Sequence, residues 1–168
     1  LMPLGDGSVM HASVKAVKRG SAGDPGELKG SFDLAHDLGA LYANTEQGVF
    51  GSMELSELTE GDAVPVARVG EVRLGAAEIL SNVSGNSVER YGIEILRILD
   101  DTGSQNLLLQ VTDQALIEQT GGIVQGMSGS PILQDGRIVG AVTHVMVNDP
   151  TKGYGILIEN MLKAADDV

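Results

Sequence analysis

Apolar and polar residues alternate along most of this chain with a period of two, the spacing of a strand with one buried face. Val9 to Val17 reads as the first strand, with Val9, His11, Ser13, Lys15 and Val17 on one side and Met10, Ala12, Val14 and Ala16 on the other. Lys18 to Gly30 is rich in turn formers, and Gly23-Asp24-Pro25-Gly26 is a strong turn signal. Short strands are predicted over Leu38 to Asn44 and Gly48 to Met53, around Thr45-Glu46-Gln47, and then over Ala63 to Ala67 and Val72 to Val83. Arg90 to Leu99 alternates clearly, setting Tyr91, Ile93 and Ile95 against Glu94, Leu96 and Ile98, and breaks at Asp100-Asp101-Thr102-Gly103. Asn106 to Val111 follows as another strand.

The pattern turns helical at two places. Asp113 to Gln119 is the first, with Thr112 or Asp113 as N-cap and Gly121-Gly122 as its stop. Ser130 to Leu133 and Arg137 to Val147 then form a hairpin around Asp135-Gly136, a dipeptide suited to a two-residue turn. Asn148-Asp149-Pro150 is a turn and Tyr154 to Leu157 a last strand. Ile158 to Ala165 closes the chain as a helix with Ile158, Met161, Leu162 and Ala165 on one face. No repeat, low-complexity tract or separating linker interrupts this order.

Composition narrows the function classes. At 168 residues the chain suits one domain, or two small barrels sharing an interface. Its 23 glycines are about twice the usual share, which fits short strands and tight turns better than long helices. A net charge of -12 leaves no basic stripe for phosphates, so nucleic acid is excluded as a partner and anionic membrane surfaces are disfavoured. Zero cysteines exclude disulfides and thiolate metal sites without fixing the compartment. No apolar run reaches the roughly 18 residues of a membrane span, so direct membrane insertion is not expected. The opening Leu1-Met2-Pro3, with no basic or apolar leader, reads as an excised or processed piece.

Candidate chemistry concentrates in Gly126-Met127-Ser128-Gly129-Ser130-Pro131. A serine hydroxyl becomes a nucleophile only when a base takes its proton and N–H groups stabilise the oxyanion. Gly126 and Gly129 allow a sharp turn, so that the N–H groups of Gly126 and Ser128 can point into one small hole. This is the Gly-x-Ser-Gly-x-Pro arrangement of chymotrypsin-like serine peptidases. It is not the α/β-hydrolase elbow, because Ser130 stands where that motif needs glycine. A tight Gly/Ser turn between strands is the plain alternative. Carboxylates at Glu57, Glu60, Asp166 and Asp167 have no His or Cys at ligand spacing, so neither a metal nor a cofactor is expected. Gly121-Gly122 lacks the following Gly-Lys-Ser/Thr of a phosphate loop.

A resemblance gives these residues a context. Thr112-Asp113, the run from Thr120 through Ser128 to Ile132, Gly140-Ala-Val-Thr-His144, Val147-Asn-Asp-Pro150 and Gly153-Tyr-Gly155 resemble the SpoIVB peptidase family, the stage IV sporulation serine peptidases of endospore-forming bacteria. Gly26-Glu27-Leu28-Lys29-Gly30 and the segment Asn44 to Gly51 resemble it too. The resemblance implies a trypsin-like fold preceded by a PDZ domain and a membrane anchor. It also implies self-cleavage and cleavage of a protein partner in the space between the forespore membranes. It places Ser128 on the family's nucleophile and Asp113 on its catalytic aspartate. The family's catalytic histidine belongs to a Leu-Gly-His-Gly segment ahead of Pro3-Leu4-Gly5, which these 168 residues do not include.

Within the chain, His11 falls mid-strand and His36 in a solvated loop. By the order of a chymotrypsin-like barrel, His144 would form a wall of the specificity cleft. Thr143 falls where such enzymes pair backbone with an extended peptide, or else is a half-buried strand threonine. Asp113, fifteen residues before Ser128, also suits a helix cap with no chemistry at all. The expected architecture is mainly β: a trypsin-like double barrel, incomplete at its N-terminus, with a C-terminal helix. Residues to about 85 would be the first-barrel remainder and connection, and residues from about 86 to 168 the second barrel. The expected activity is a serine endopeptidase acting on a protein or peptide substrate. Its rivals are a catalytically silent β-module that binds a peptide or partner protein, and a half-barrel whose exposed interface awaits an upstream segment.

Overall fold

The computed structural model describes residues 7–54, 63–99 and 103–167. Glu57, Glu60 and residues 100–102 lie outside that range. The strands are β1 (Gly7–Val9), β2 (Ala12–Lys18), β3 (Glu27–Phe32), β4 (Gly39–Thr45), β5 (Gly48–Met53), β6 (Gly75–Ser84), β7 (Ser87–Ile98), β8 (Leu107–Val111), β9 (Pro131–Gln134), β10 (Arg137–Val145) and β11 (Lys152–Leu157). Helices α1 (Gln114–Thr120) and α2 (Ile158–Asp166) complete the order.

Six strands close into an antiparallel barrel in the order β10-β11-β8-β7-β6-β9. The seam is β6 on β9, where Glu78 faces Leu133 and Ile79 faces Ile132. The barrel therefore draws on β6, ahead of residue 85, as well as on the strands that follow. Its interior is built by the alternation read from the sequence: Tyr91, Ile93 and Ile95 of β7 point inward, beside Leu107, Leu109 and Val111 of β8 and Ile79 of β6. These residues form one contiguous apolar cluster. A mainly β chain with a trypsin-like barrel and a terminal helix is thus what the sequence folds into.

The first half forms two smaller pieces: a sheet in the order β1-β4-β5 and a hairpin of β2 with β3. The expected strand from Val9 to Val17 is split, because β1 pairs with β4 while β2 pairs with β3. Met10 and His11 make the crossing between them. The stretch read as turn-rich runs into a strand, β3, that pairs with β2. Ala63 to Ala67 forms no strand; its one ladder contact is a parallel bridge from Val66 to Ile138. The hairpin bears on the barrel through paired bonds between Val14 and Gly85, N–H to carbonyl in both directions at 2.9 and 3.0 Å.

Local signals set the rest. Asp135 (φ 50°) and Gly136 (φ 75°) both adopt the left-handed conformation of a type I′ hairpin turn between β9 and β10. Asp113 caps α1, its carboxylate accepting from Leu116 N at 2.9 Å. Gly121, at φ 84°, ends the helix with its N–H on the Ile117 carbonyl.

Candidate active site

One rim of the barrel collects the ends of β6, β8 and β10 and the starts of β7, β9 and β11, as antiparallel pairing requires. Helix α1 and the segment after it cross that rim from β8 to β9 and plug it. Leu116, Ile123, Val124 and Met127 are buried there. Ser128 follows Met127 directly, so an exposed hydroxyl sits next to a side chain sealed in the core. Gly126 at φ 98° and Gly129 at φ 88° supply the left-handed turns that make this reversal possible.

The loop is anchored on both flanks. Gly129 N donates to the Val142 carbonyl at 2.8 Å, and Val142 N to the Ser130 carbonyl at 2.9 Å, which fixes it to β10. On the other side, Gln125 N donates to the Gly26 carbonyl at 2.9 Å and Leu28 N to the Gln125 carbonyl at 2.8 Å. The Gly26-Glu27-Leu28 segment, which local sequence marks as part of a turn-rich stretch, is thus a clamp on the serine loop. An added Cβ at Gly26 would lie 2.6 Å from Val124 Cγ1, so this close approach needs glycine. The sequence signal was present in the resemblance of Gly26 to Gly30, but nothing local disclosed its use.

Ser128 Oγ donates to the Thr143 carbonyl at 2.8 Å. Thr143 is held in turn, since its Oγ1 donates to the Ser104 carbonyl at 2.9 Å. Among the described residues, the N–H groups of Gly126 and Ser128 make no backbone hydrogen bond, whereas those of Met127, Gly129 and Ser130 do. The two uncommitted donors are therefore those expected for an oxyanion site. The loop is also a ridge between two depressions. A cleft of about 390 Å³ is bordered by Ser128, Thr143 and His144 and by the β4–β5 tip. A groove of about 570 Å³ beneath the β2–β3 hairpin is bordered by Gly126, Ser130 and Leu28.

Beyond Val142 the outer edge of β10 continues without a partner strand among the described residues. Met146 N donates to the Lys152 carbonyl, so the flanking pair Val145↔Gly153 is a non-hydrogen-bonded one. The N–H and C=O of Val145 then point to the edge that β9 has left. Such an edge suits main-chain pairing with an extended peptide.

Asp113 lies on the same rim but across it, beside β7 and β8, while Ser128 lies beside β9 and β10. Its carboxylate faces Leu116 N at 2.9 Å and Gly92 N at 3.4 Å, and its own N–H donates to the Gly92 carbonyl. Nearby Tyr91 is pushed up to about 12, first by burial, then by its hydrogen bond to Glu89 and the charges of Glu89 and Asp113. His144 is exposed on the cleft wall with Ser128. His11 is exposed near Asp33, and His36 pairs with Asp33 at 2.9 Å, which lowers the Asp33 carboxyl below its ordinary range. None of the three imidazoles is hydrogen bonded to Ser128 among the described residues. No group of three or more His, Asp or Glu is placed to hold a metal ion among them either.

The chain matches the SpoIVB peptidase S55 family over residues 1–162. It belongs to that family. The matched range takes in the serine loop, its Gly26 clamp, Asp113 and the whole barrel. Membership makes the chain a serine peptidase of the SpoIVB type, with protein as the substrate class. Comparison with curated proteins gave no match, and neither did comparison with solved structures. No helix among the described residues is long and apolar enough to cross a membrane.

Proposed function

We propose that Ser128 is the nucleophile of a SpoIVB-type serine endopeptidase that cleaves itself and a protein partner in sporulation signalling. The observation that carries this is the setting of its hydroxyl: exposed, fixed by the Thr143 carbonyl at the lip of a cleft, with two uncommitted N–H groups in the same loop. A peptide laid across the ridge would pair with β10 at Thr143 and Val145, passing His144 on the cleft wall. Its leaving side would run over the groove beneath β2 and β3. The tetrahedral oxyanion would take the N–H groups of Gly126 and Ser128. In the present arrangement the Ser128 proton rests on a carbonyl, which cannot carry it away. The resemblance assigns the base to a histidine of a Leu-Gly-His-Gly segment, which would be brought to Ser128 with Asp113 as the carboxylate that orients it. The protein would act in the space between the forespore membranes, alongside the upstream PDZ domain and anchor that the family implies.

A second reading, a catalytically silent β-module that binds a peptide, is favoured by one observation: the Asp113 carboxylate is already occupied by Leu116 N and Gly92 N. Fluorophosphonate labelling read by mass spectrometry separates the two. An adduct on Ser128 in a chain carrying the upstream histidine segment, absent from a folded Ser128→Ala variant, is the expected result. No adduct on that longer chain would leave the binding module. Hydrolysis by Ser128→Ala would remove the proposed mechanism.

A further inference from the structure

The cleft beside Ser128 combines a set of apolar side chains with polar lining from Asn44, Thr45, Gln47 and Ser104. Ala141 of β10 and Ile156 of β11 are buried in it, and Met161 reaches in from the second turn of α2. Val49, beyond the tip of the β4–β5 hairpin, forms the facing wall. Among the described residues that line it, the ionisable side chains are Glu46 and His144, and both are exposed to solvent. The cleft opens at the serine and at the Thr143 carbonyl, on the side where a peptide paired with β10 would project its side chain.

We propose that this cleft receives the side chain on the acyl side of the scissile bond and selects an uncharged aliphatic one. Met161 and Ile156 set that choice. The proposal rests on Ser128 being the nucleophile, because only then does the cleft adjoin the reacting carbonyl. At about 390 Å³ it has room for a leucine or methionine side chain. An aspartate or glutamate side chain would carry its charge to Ile156 and Met161, where desolvation counts against it, and a lysine or arginine would lose hydration there that the solvent-exposed Glu46 offsets only in part. An acidic residue would also meet Glu46. Alanine would leave the floor unfilled, and each methylene in such a pocket is worth roughly tenfold or more in discrimination.

Two measurements test this. The first sorts peptide-library cleavage by the full-length protein according to the residue before the cut. Leucine, methionine or valine should exceed lysine and aspartate by about tenfold or more. Met161→Asp should move the preference toward lysine and arginine, and Met161→Ala should admit larger aromatic residues. The second follows the Ile156 and Met161 methyl resonances of the 168-residue chain on titration with product-like tetrapeptides. Those ending in leucine should shift both signals, and those ending in lysine or aspartate should not. Ser128-dependent cleavage after charged residues, or a profile unmoved in folded Met161→Asp and Met161→Ala, would overturn the proposal and leave the nucleophile in place. Cleavage that survives Ser128→Ala would overturn both. Where the short chain does not turn over, the methyl titration still decides, since absence of a leucine-specific shift counts against the pocket.

Discussion

Gly26 and Val124 touch so closely that no other residue fits at position 26. An added Cβ would meet Val124 Cγ1 at 2.6 Å, and Gly20 N and the Lys18 carbonyl at 2.5 Å. Two of those three neighbours are backbone and cannot swing aside. Val124 belongs to the plug that ends in Met127, so a shift here travels straight to Ser128.

Gly26→Ala should therefore cost about 1–3 kcal/mol in stability, as overpacking does, and should also slow probe labelling of Ser128. Gly23→Ala is the control. Gly23 has φ 80° and open space around it, so its substitution strains the backbone by about 1 kcal/mol without touching the serine loop. Denaturant midpoints and labelling rates of the two variants check this. Equal labelling at equal stability loss would detach Gly26 from the site.

What the sequence disclosed and what it hid follow one physical line. The Asp135-Gly136 turn, the Asp113 cap, the Gly121 stop and the inward Tyr91, Ile93 and Ile95 were all legible, because each is fixed by residues adjacent along the chain. Strand β3 was not, since five of its six residues are exposed and its pairing depends on β2. The same holds at the site. The sharp turn that carries Ser128 was legible through its flanking glycines. The β4–β5 tip facing it across the cleft, the Gly26 clamp and the Ser104–Thr143 bond are meetings of distant segments, and no local pattern encodes them.

Asp113 offers a way to separate a cap from a catalytic orienter. Asparagine caps a helix about as well as aspartate, while alanine forfeits about 1 kcal/mol. Asp113→Asn should keep its denaturation midpoint within a few tenths of a kcal/mol, and Asp113→Ala should lose the full amount. In a chain extended by the upstream histidine segment and assayed for peptide hydrolysis, Asp113→Asn should still lose on the order of a hundredfold or more in kcat, because an amide cannot hold the imidazole in the required tautomer. Stability and kcat both retained in Asp113→Asn would make this residue a cap alone.

Tyr91 predicts an alkaline limit. Its folded phenol is raised from 10.0 to about 12, so folding disfavours the tyrosinate. The stabilisation is fully present below pH 10 and is lost as pH rises from there through about 12. Two pH units correspond to at most about 3 kcal/mol. Denaturant midpoints measured across that window should fall more steeply for the native sequence than for Tyr91→Phe, which has no proton to lose there. Parallel curves for the two proteins would contradict it.

Thr143 should matter through what holds it. Its Oγ1 bond to the Ser104 carbonyl steadies the same peptide unit whose carbonyl receives the Ser128 hydroxyl. Thr143→Val keeps the shape and β-propensity but removes the donor, leaving the Ser104 carbonyl to solvent. A hydrogen bond of this kind contributes about 1 kcal/mol, so the labelling rate at Ser128 should drop roughly five- to tenfold. Thr143→Ser restores the hydroxyl and should restore most of the rate. In the hydrolysing chain the loss should fall on kcat more than on KM, because the serine is misplaced while the cleft remains. Wild-type labelling by Thr143→Val would reduce Thr143 to a strand residue, with the carbonyl held by β10 alone.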